Sequence, residues 1–183
     1  MTPKIALYGL PGAGKSTLAH LLVEEATSRG WNSSVVKIAE PLYDIQRYVY
    51  ERAGLPLQDA YQQDGMLLNV LGENLKRINP NALIDDIAQR VADLDLDHIP
   101  ICDDMRGDAA PKLANLGFTL VQVTAPDQLR RQRKQKRADL TAGDDKHVTE
   151  VPVSRDPDYQ IVNDGDLDKL RAQASYLIER VAR

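Results

Sequence analysis

Gly9-Leu10-Pro11-Gly12-Ala13-Gly14-Lys15-Ser16 carries the spacing G-x-x-x-x-G-K-S, the pattern of a loop that cradles phosphate. Glycines leave main-chain N–H groups free to converge on phosphate oxygens, and a helix opening after them adds its favourable dipole. The chemistry implied is binding of a nucleotide's phosphates through Gly9, Gly12, Ala13, Gly14, Lys15, Ser16 and Thr17. Lys15 would reach the β- and γ-phosphates, and the Ser16 hydroxyl would ligate Mg2+. The plainer alternative is a glycine turn with a surface lysine.

A second constellation is Asp103-Asp104-Met105-Arg106, which ends an apolar run. An acid there can hold Mg2+ through water, and an arginine two residues on can grip a phosphate with paired N–H donors. A strand-end turn with a surface salt bridge accounts for the same residues. Asp104-Met105-Arg106-Gly107 also fits the D-x-x-G of GTPase switches, but no N-K-x-D follows anywhere in the chain.

The third is Arg130-Arg131-Gln132-Arg133-Lys134-Gln135-Lys136-Arg137, with six basic residues in eight positions. Arg133 and Arg137 lie four apart and share a helical face, suited to clamping a polyphosphate as a lid closes. A solvated basic helix and a nucleic-acid contact are the other readings. The run has no interleaved aromatic residue, which removes a stacking platform for bases. His20, His98 and His147 have no metal-ligand spacing.

These residues need elements to position them. Lys4 to Tyr8 is a short apolar run stopping at Gly9, and Leu18, Leu21, Leu22 and Ala26 recur at helical spacing from Lys15 onward. The chain therefore opens as strand, loop and helix. Further strand-like runs are Val35 to Ala39, Ile99 to Cys102, Phe118 to Val123 and Tyr159 to Val162. Between them Met66, Leu67, Val70 and Leu71 share one helical face. Leu83, Ile84, Ile87 and Val91 share another, with Pro80 expected in the first turn. Leu167, Leu170, Ala174 and Leu177 form the stripe of a last helix. Alternating helices and doubly buried strands predict a three-layer α/β fold with a parallel sheet, whose ligands bind at the strands' carboxyl ends. Arg137 to Pro157, rich in Asp, Gly and Thr, reads as a loop.

The chain has 183 residues, 43% hydrophobic, enough to fill one domain's core, and no repeat or linker divides it. Its net charge of −4 argues against a surface built for nucleic acid, and the single Cys102 excludes a disulfide framework. No apolar run approaches the ~20 residues of a membrane span. The amino-terminal run lacks the marks of a signal peptide, so the cytoplasm is the expected compartment.

Beyond the phosphate loop, Ala39-Glu40-Pro41-Leu42, Leu67 to Gly72 with Arg77, Asp104-Met105-Arg106, His147 to Glu150 and Tyr159 to Leu167 carry a likeness along nearly the whole chain. Together they resemble the deoxynucleoside monophosphate kinases of phages and bacteria, themselves similar to adenylate and dephospho-coenzyme A kinases. The resemblance implies a P-loop NTPase fold with a five-stranded parallel sheet in the order 2-3-1-4-5. A monophosphate-binding segment would span about 40–80 and a lid about 130–150. ATP and Mg2+ would be used, with Asn163 and Gly165 near the adenine. Glu40, Arg77, Asp104 and Arg106 would surround the monophosphate, Ser16 and Asp104 would serve the metal, and Lys15, Arg106, Arg133 and Arg137 would stabilise the transferring group. The implied partners are a nucleoside monophosphate and at most a second copy of the chain in a homodimer; neither membrane nor nucleic acid is expected. Rival readings are a kinase of another acceptor, either a hydroxyl or a modified base in DNA, and a nucleotide-dependent switch that is no kinase. A switch would not need the Glu40, Arg77 and Arg106 set.

Overall fold

The computed structural model describes residues 2–135, 153 and 155–181. Five strands, β1 (Lys4–Tyr8), β2 (Ser33–Val36), β3 (Ile99–Cys102), β4 (Phe118–Thr124) and β5 (Tyr159–Val162), form one sheet in the order β2-β3-β1-β4-β5. Every pairing is parallel, and the order is the one the resemblance implies. The helices are α1 (Lys15–Ser28), α2 (Glu40–Arg52), α3 (Gly65–Ile78), α4 (Ala82–Ala92), α5 (Ala110–Asn115), α6 (Asp127–Gln135) and α7 (Leu167–Val181).

The period of two along the strands builds two cores, one on each face of the sheet. Ile5 and Leu7 of β1 join Val121 and Val123 of β4 beneath Leu18 and Leu22 of α1 and Leu177 and Ile178 of α7. Ala6 and Tyr8 face the other way, with Phe118 and Leu120, against Ile87 of α4 and Leu113 of α5. The stripe expected for α1 is buried throughout, as are Leu170, Ala174 and Leu177 of α7. No helix among the described residues is long and apolar enough to cross a membrane.

Four local expectations are corrected. Leu167, read into the buried stripe of α7, stands exposed at the helix's first position. β2 covers Ser33–Val36 rather than extending to Ala39, because Ile38 and Ala39 turn their N–H groups to a carboxylate instead of a neighbouring strand. Pro80 precedes the N-cap Asn81 of α4 and lies outside the first turn. Met66 and Val70 stand exposed on α3, which packs beside α2 and contributes nothing to either core. Most of the loop expected over Arg137 to Pro157 lies outside the described residues.

Candidate functional site

The phosphate loop joins the centre strand β1 to α1, at the carboxyl edge where a parallel sheet presents its ligand site. Gly9, Gly12 and Gly14 take φ values of 146°, 80° and 97°, a region L side chains rarely enter. Neighbouring chain also leaves no room. A Cβ would stand 2.0 Å from the Val123 carbonyl oxygen at Gly9, 2.6 Å from that of Arg130 at Gly12, and 2.2 Å from Asn163 Nδ2 at Gly14. Gly14 is the N-cap of α1 and no side chain caps the helix, so its first turn is open to an anion. Ser16 and Thr17 are exposed there. Lys15 Nζ donates to the loop's own carbonyls, Gly9 O at 2.7 Å and Leu10 O at 3.5 Å.

Helix α6 sets Arg130 and Arg133 against this loop. Arg130 Nη1 donates to Pro11 O at 3.2 Å, while its Nη2 pairs with Asp127 at 2.6 Å. Arg133 Nη2 reaches Asn163 Oδ1 at 3.4 Å, and the buried Asn163 donates through Nδ2 to Ala13 O at 2.9 Å. Arg133 Nη1 is buried without a hydrogen-bond partner among the described residues. An orphaned cationic donor beside a glycine cradle is what an anionic ligand would satisfy, so these residues fit a nucleotide's phosphates. Asn163, expected near the adenine, bonds the phosphate loop itself; Gly165 lies two residues beyond, before the Asp166 cap of α7. Arg137 lies outside the described residues.

On the other side of β1, register decides the acids. Val36 pairs with Cys102, so the next residues of each chain meet in turn. The buried Asp103 receives Lys37 Nζ at 2.6 Å, whereas Asp104 accepts Ile38 N at 2.8 Å and Ala39 N at 3.0 Å. Asp104 therefore has one oxygen on each of two main-chain donors and closes the β2–α2 turn. Arg106 follows, exposed at the start of the 3₁₀ turn Gly107–Ala109. Lys76 pairs with Asp108 and ties the end of α3 to that turn, with Arg77 exposed beside it.

Glu40 opens α2, and both its oxygens accept from Tyr61 Oη, at 3.1 and 2.9 Å. The Tyr61 ring lies under Lys37 Nζ at 5.0 Å and edge-on to Tyr43 at 5.3 Å. Asp103, Lys37, Tyr61 and Glu40 thus form one chain of contacts from β3 to α2. The fully buried Gln46 holds the segment before α3, donating to Gln62 O at 2.7 Å and accepting from Asp64 N at 3.0 Å. Sequence reading missed Lys37, Tyr61 and Gln46. One signal was available: Lys37 interrupts the apolar run Val35 to Ala39, and a charge in a buried run requires a partner. Tyr61 and Gln46 leave no comparable trace.

Burial pushes the Asp104 carboxyl above the usual aspartate range, against the two N–H groups that draw it down. A folded-state pKa above the unfolded one means the folded chain binds the proton more tightly, so stability falls as pH rises between the two values. Asp104→Asn is expected to abolish that slope. At neutral pH it should also cost about 1–3 kcal/mol, because an amide donor would face one of two main-chain donors. Urea unfolding of both proteins at several pH values checks both parts.

No protein-family model matches the sequence, and no curated protein sequence matches it. Solved structures do resemble it. The APS kinase of Mycobacterium tuberculosis, solved with AMPPNP and APS, is 20% identical with a TM-score of 0.53, over 97% of this chain and 98% of that one. A gluconokinase from Sinorhizobium meliloti is 14% identical with a TM-score of 0.55, covering 98% and 93%. A shikimate kinase from Acinetobacter baumannii, solved with shikimate, is 14% identical with a TM-score of 0.52, covering 99% and 93%. At these identities the likeness is one of architecture: the chain has the α/β fold of P-loop kinases, with a five-stranded parallel sheet in the order 2-3-1-4-5.

Proposed function

We propose that the chain transfers the γ-phosphoryl group of ATP to a nucleoside monophosphate, releasing ADP and the nucleoside diphosphate. The observation that carries this reading is the unpartnered Arg133 Nη1, buried beside a glycine cradle at the uncapped start of α1. The kinases named above, of which one was solved with an ATP analogue, support phosphoryl transfer as the reaction class.

In this reading the phosphates of ATP lie along the main chain from Gly9 to Thr17, with the adenine toward Asn163 and Gly165. An oxygen of the acceptor's phosphate attacks the γ-phosphorus in line as the bond to the β-phosphate oxygen breaks. The charge of that oxygen leaves on ADP, so no side chain acts as nucleophile or base. Lys15, Arg106, Arg133 and Arg137 stabilise the charge on the transferring group. Ser16 would hold Mg2+, which supplies further neutralisation of the phosphates when bound. Arg106 grips the acceptor's phosphate, flanked on the β2 side by Glu40 and Arg77. Asp104 shapes this side through its main-chain bonds. The chain works as one domain, with an acceptor segment about 40–80 and a lid about 130–150.

The test is ATP with each ribo- and deoxynucleoside monophosphate, followed by ADP release. Failure of every monophosphate to raise ADP release above ATP alone overturns the reading. Within it, Arg106→Ala is expected to raise the acceptor's KM about tenfold or more while the KM for ATP moves less than about twofold. An equal rise in both would place Arg106 elsewhere.

A further inference from the structure

Beside the phosphate loop opens a cavity of about 590 Å3, bordered by Gly9, Leu10 and Ala13 on one side and by Met105 and Arg106 on another. Its size falls in the ordinary range for a small-molecule site. Tyr8, Gln122 and Gln160 also line it, and the sheet sets them in a single row. Tyr8 pairs with Gln122 across β1 and β4, and Gln122 with Gln160 across β4 and β5. Cross-strand partners in a parallel sheet share a face. One pleat earlier on that face stand the buried Ala6 and Leu120, so the core gives way to hydrogen-bonding groups at the carboxyl edge.

All three side chains have bonding capacity left. Tyr8 is 7% exposed, and its hydroxyl has no hydrogen-bond partner among the described residues. Burial, with the charges of Asp156 and Asp158, pushes its pKa up, which keeps the hydroxyl a donor at neutral pH. Gln160 Nε2 donates to Gln122 Oε1 at 3.2 Å. This head-to-tail contact leaves one amide donor and one amide carbonyl unbonded, whichever way the two groups are turned. A donor and an acceptor side by side, with a hydroxyl next to them, complement the edge of a planar heterocycle carrying N–H and C=O or ring nitrogen. They offer no net charge to a phosphate.

We propose that Tyr8, Gln122 and Gln160 form the base-reading floor of the acceptor site. The nucleobase of the monophosphate lies over β4 and β5, and its phosphate points back to Arg106 and the phosphate loop. The inference rests on the proposed function for the kind of acceptor. It adds the direction in which the acceptor lies: Glu40 and Arg77 do not line this cavity and stand on the phosphate's far side.

The experiment is calorimetric titration of each ribo- and deoxynucleoside monophosphate, and separately of AMPPNP, into the wild-type chain and into Tyr8→Phe, Gln122→Leu and Gln160→Leu. For the monophosphate bound tightest by the wild type, each glutamine substitution should weaken binding roughly tenfold. It should also compress the spread of affinities among bases, a change that loosened packing would not single out, while AMPPNP affinity stays within about twofold. Tyr8→Phe removes one oxygen from an intact ring and should act in the same direction; it remains decisive if a strand substitution fails to fold. Unchanged base ranking in all folded variants, equal weakening of AMPPNP, or no monophosphate binding to the wild type overturns the proposal. Base-selective binding lost in the variants, in a wild type that transfers no phosphoryl group to the bound monophosphate, would sustain this site and sink the proposed reaction.

Discussion

Lys15→Ala is expected to lower the rate of ADP release at saturating ATP and acceptor by about 10²–10³-fold, the range for removing one preorganised charge-stabilising donor. The ammonium donates to the Gly9 and Leu10 carbonyls, neutral acceptors on the loop that would surround the phosphates. Phosphate oxygens carry full negative charge, so the ammonium gains ion–ion attraction there that a carbonyl dipole does not offer. Exchange of partners on nucleotide binding is therefore favourable, and the gain grows as charge moves onto the β–γ bridging oxygen. Lys15 belongs to neither core cluster, so the variant should unfold within about 1 kcal/mol of the wild type. Steady-state kinetics beside a urea titration separates the two effects. Near-normal turnover in a folded variant would remove phosphoryl transfer from consideration.

The second large effect concerns Arg133, for which a lid and a nucleic-acid contact make opposite demands. Its Nη1 is buried and unpartnered, a state that costs desolvation and returns nothing until an anion arrives. Arg133→Ala should leave the ligand-free protein no less stable than the wild type. The rise in melting temperature on adding AMPPNP should shrink, and kcat should fall by ~10²-fold, more than ATP binding weakens, if the contact tightens on closure. Arg137→Ala, by its proposed role in the lid, should lower kcat as well. If the run instead binds nucleic acid, both variants keep small-nucleotide turnover and lose a DNA affinity that drops steeply with salt. Thermal melts with and without AMPPNP, kinetics, and a DNA titration at two salt concentrations tell these apart. Unchanged kcat in both variants rules the lid out.

The phosphate loop, the strand before it and the helix after it were legible in eight consecutive residues, because each requirement there is local. Main-chain N–H groups can converge only through glycine conformations, and the helix start follows within the same turn. Four of the five strands were equally legible, since a parallel sheet covered on both faces needs unbroken apolar runs; β2 was displaced, because it opens with Ser33 and Ser34 and the apolar run beside it continues into the turn. What the sequence could not tell is why Gly9, Gly12 and Gly14 tolerate no side chain at all. The atoms a Cβ would strike belong to Val123, Arg130 and Asn163, over a hundred residues away.

The partners of the acids were decided in the same way. Asp103 and Asp104 are adjacent and chemically alike, and either could be assigned to substrate or metal from sequence. Pairing of Val36 with Cys102 sets Asp103 against Lys37 and Asp104 against two main-chain N–H groups. A shift of one residue would exchange their roles. Tyr8, Gln122 and Gln160 are unremarkable in three separate strands and become a row only through the registers of β1 with β4 and β4 with β5. The local chemistry of the loop and the apolar runs of β1, β3, β4 and β5 are written in consecutive residues, because short-range geometry and burial leave their mark there. Which polar groups meet is settled only in three dimensions, because strand register is a long-range property that no single segment encodes.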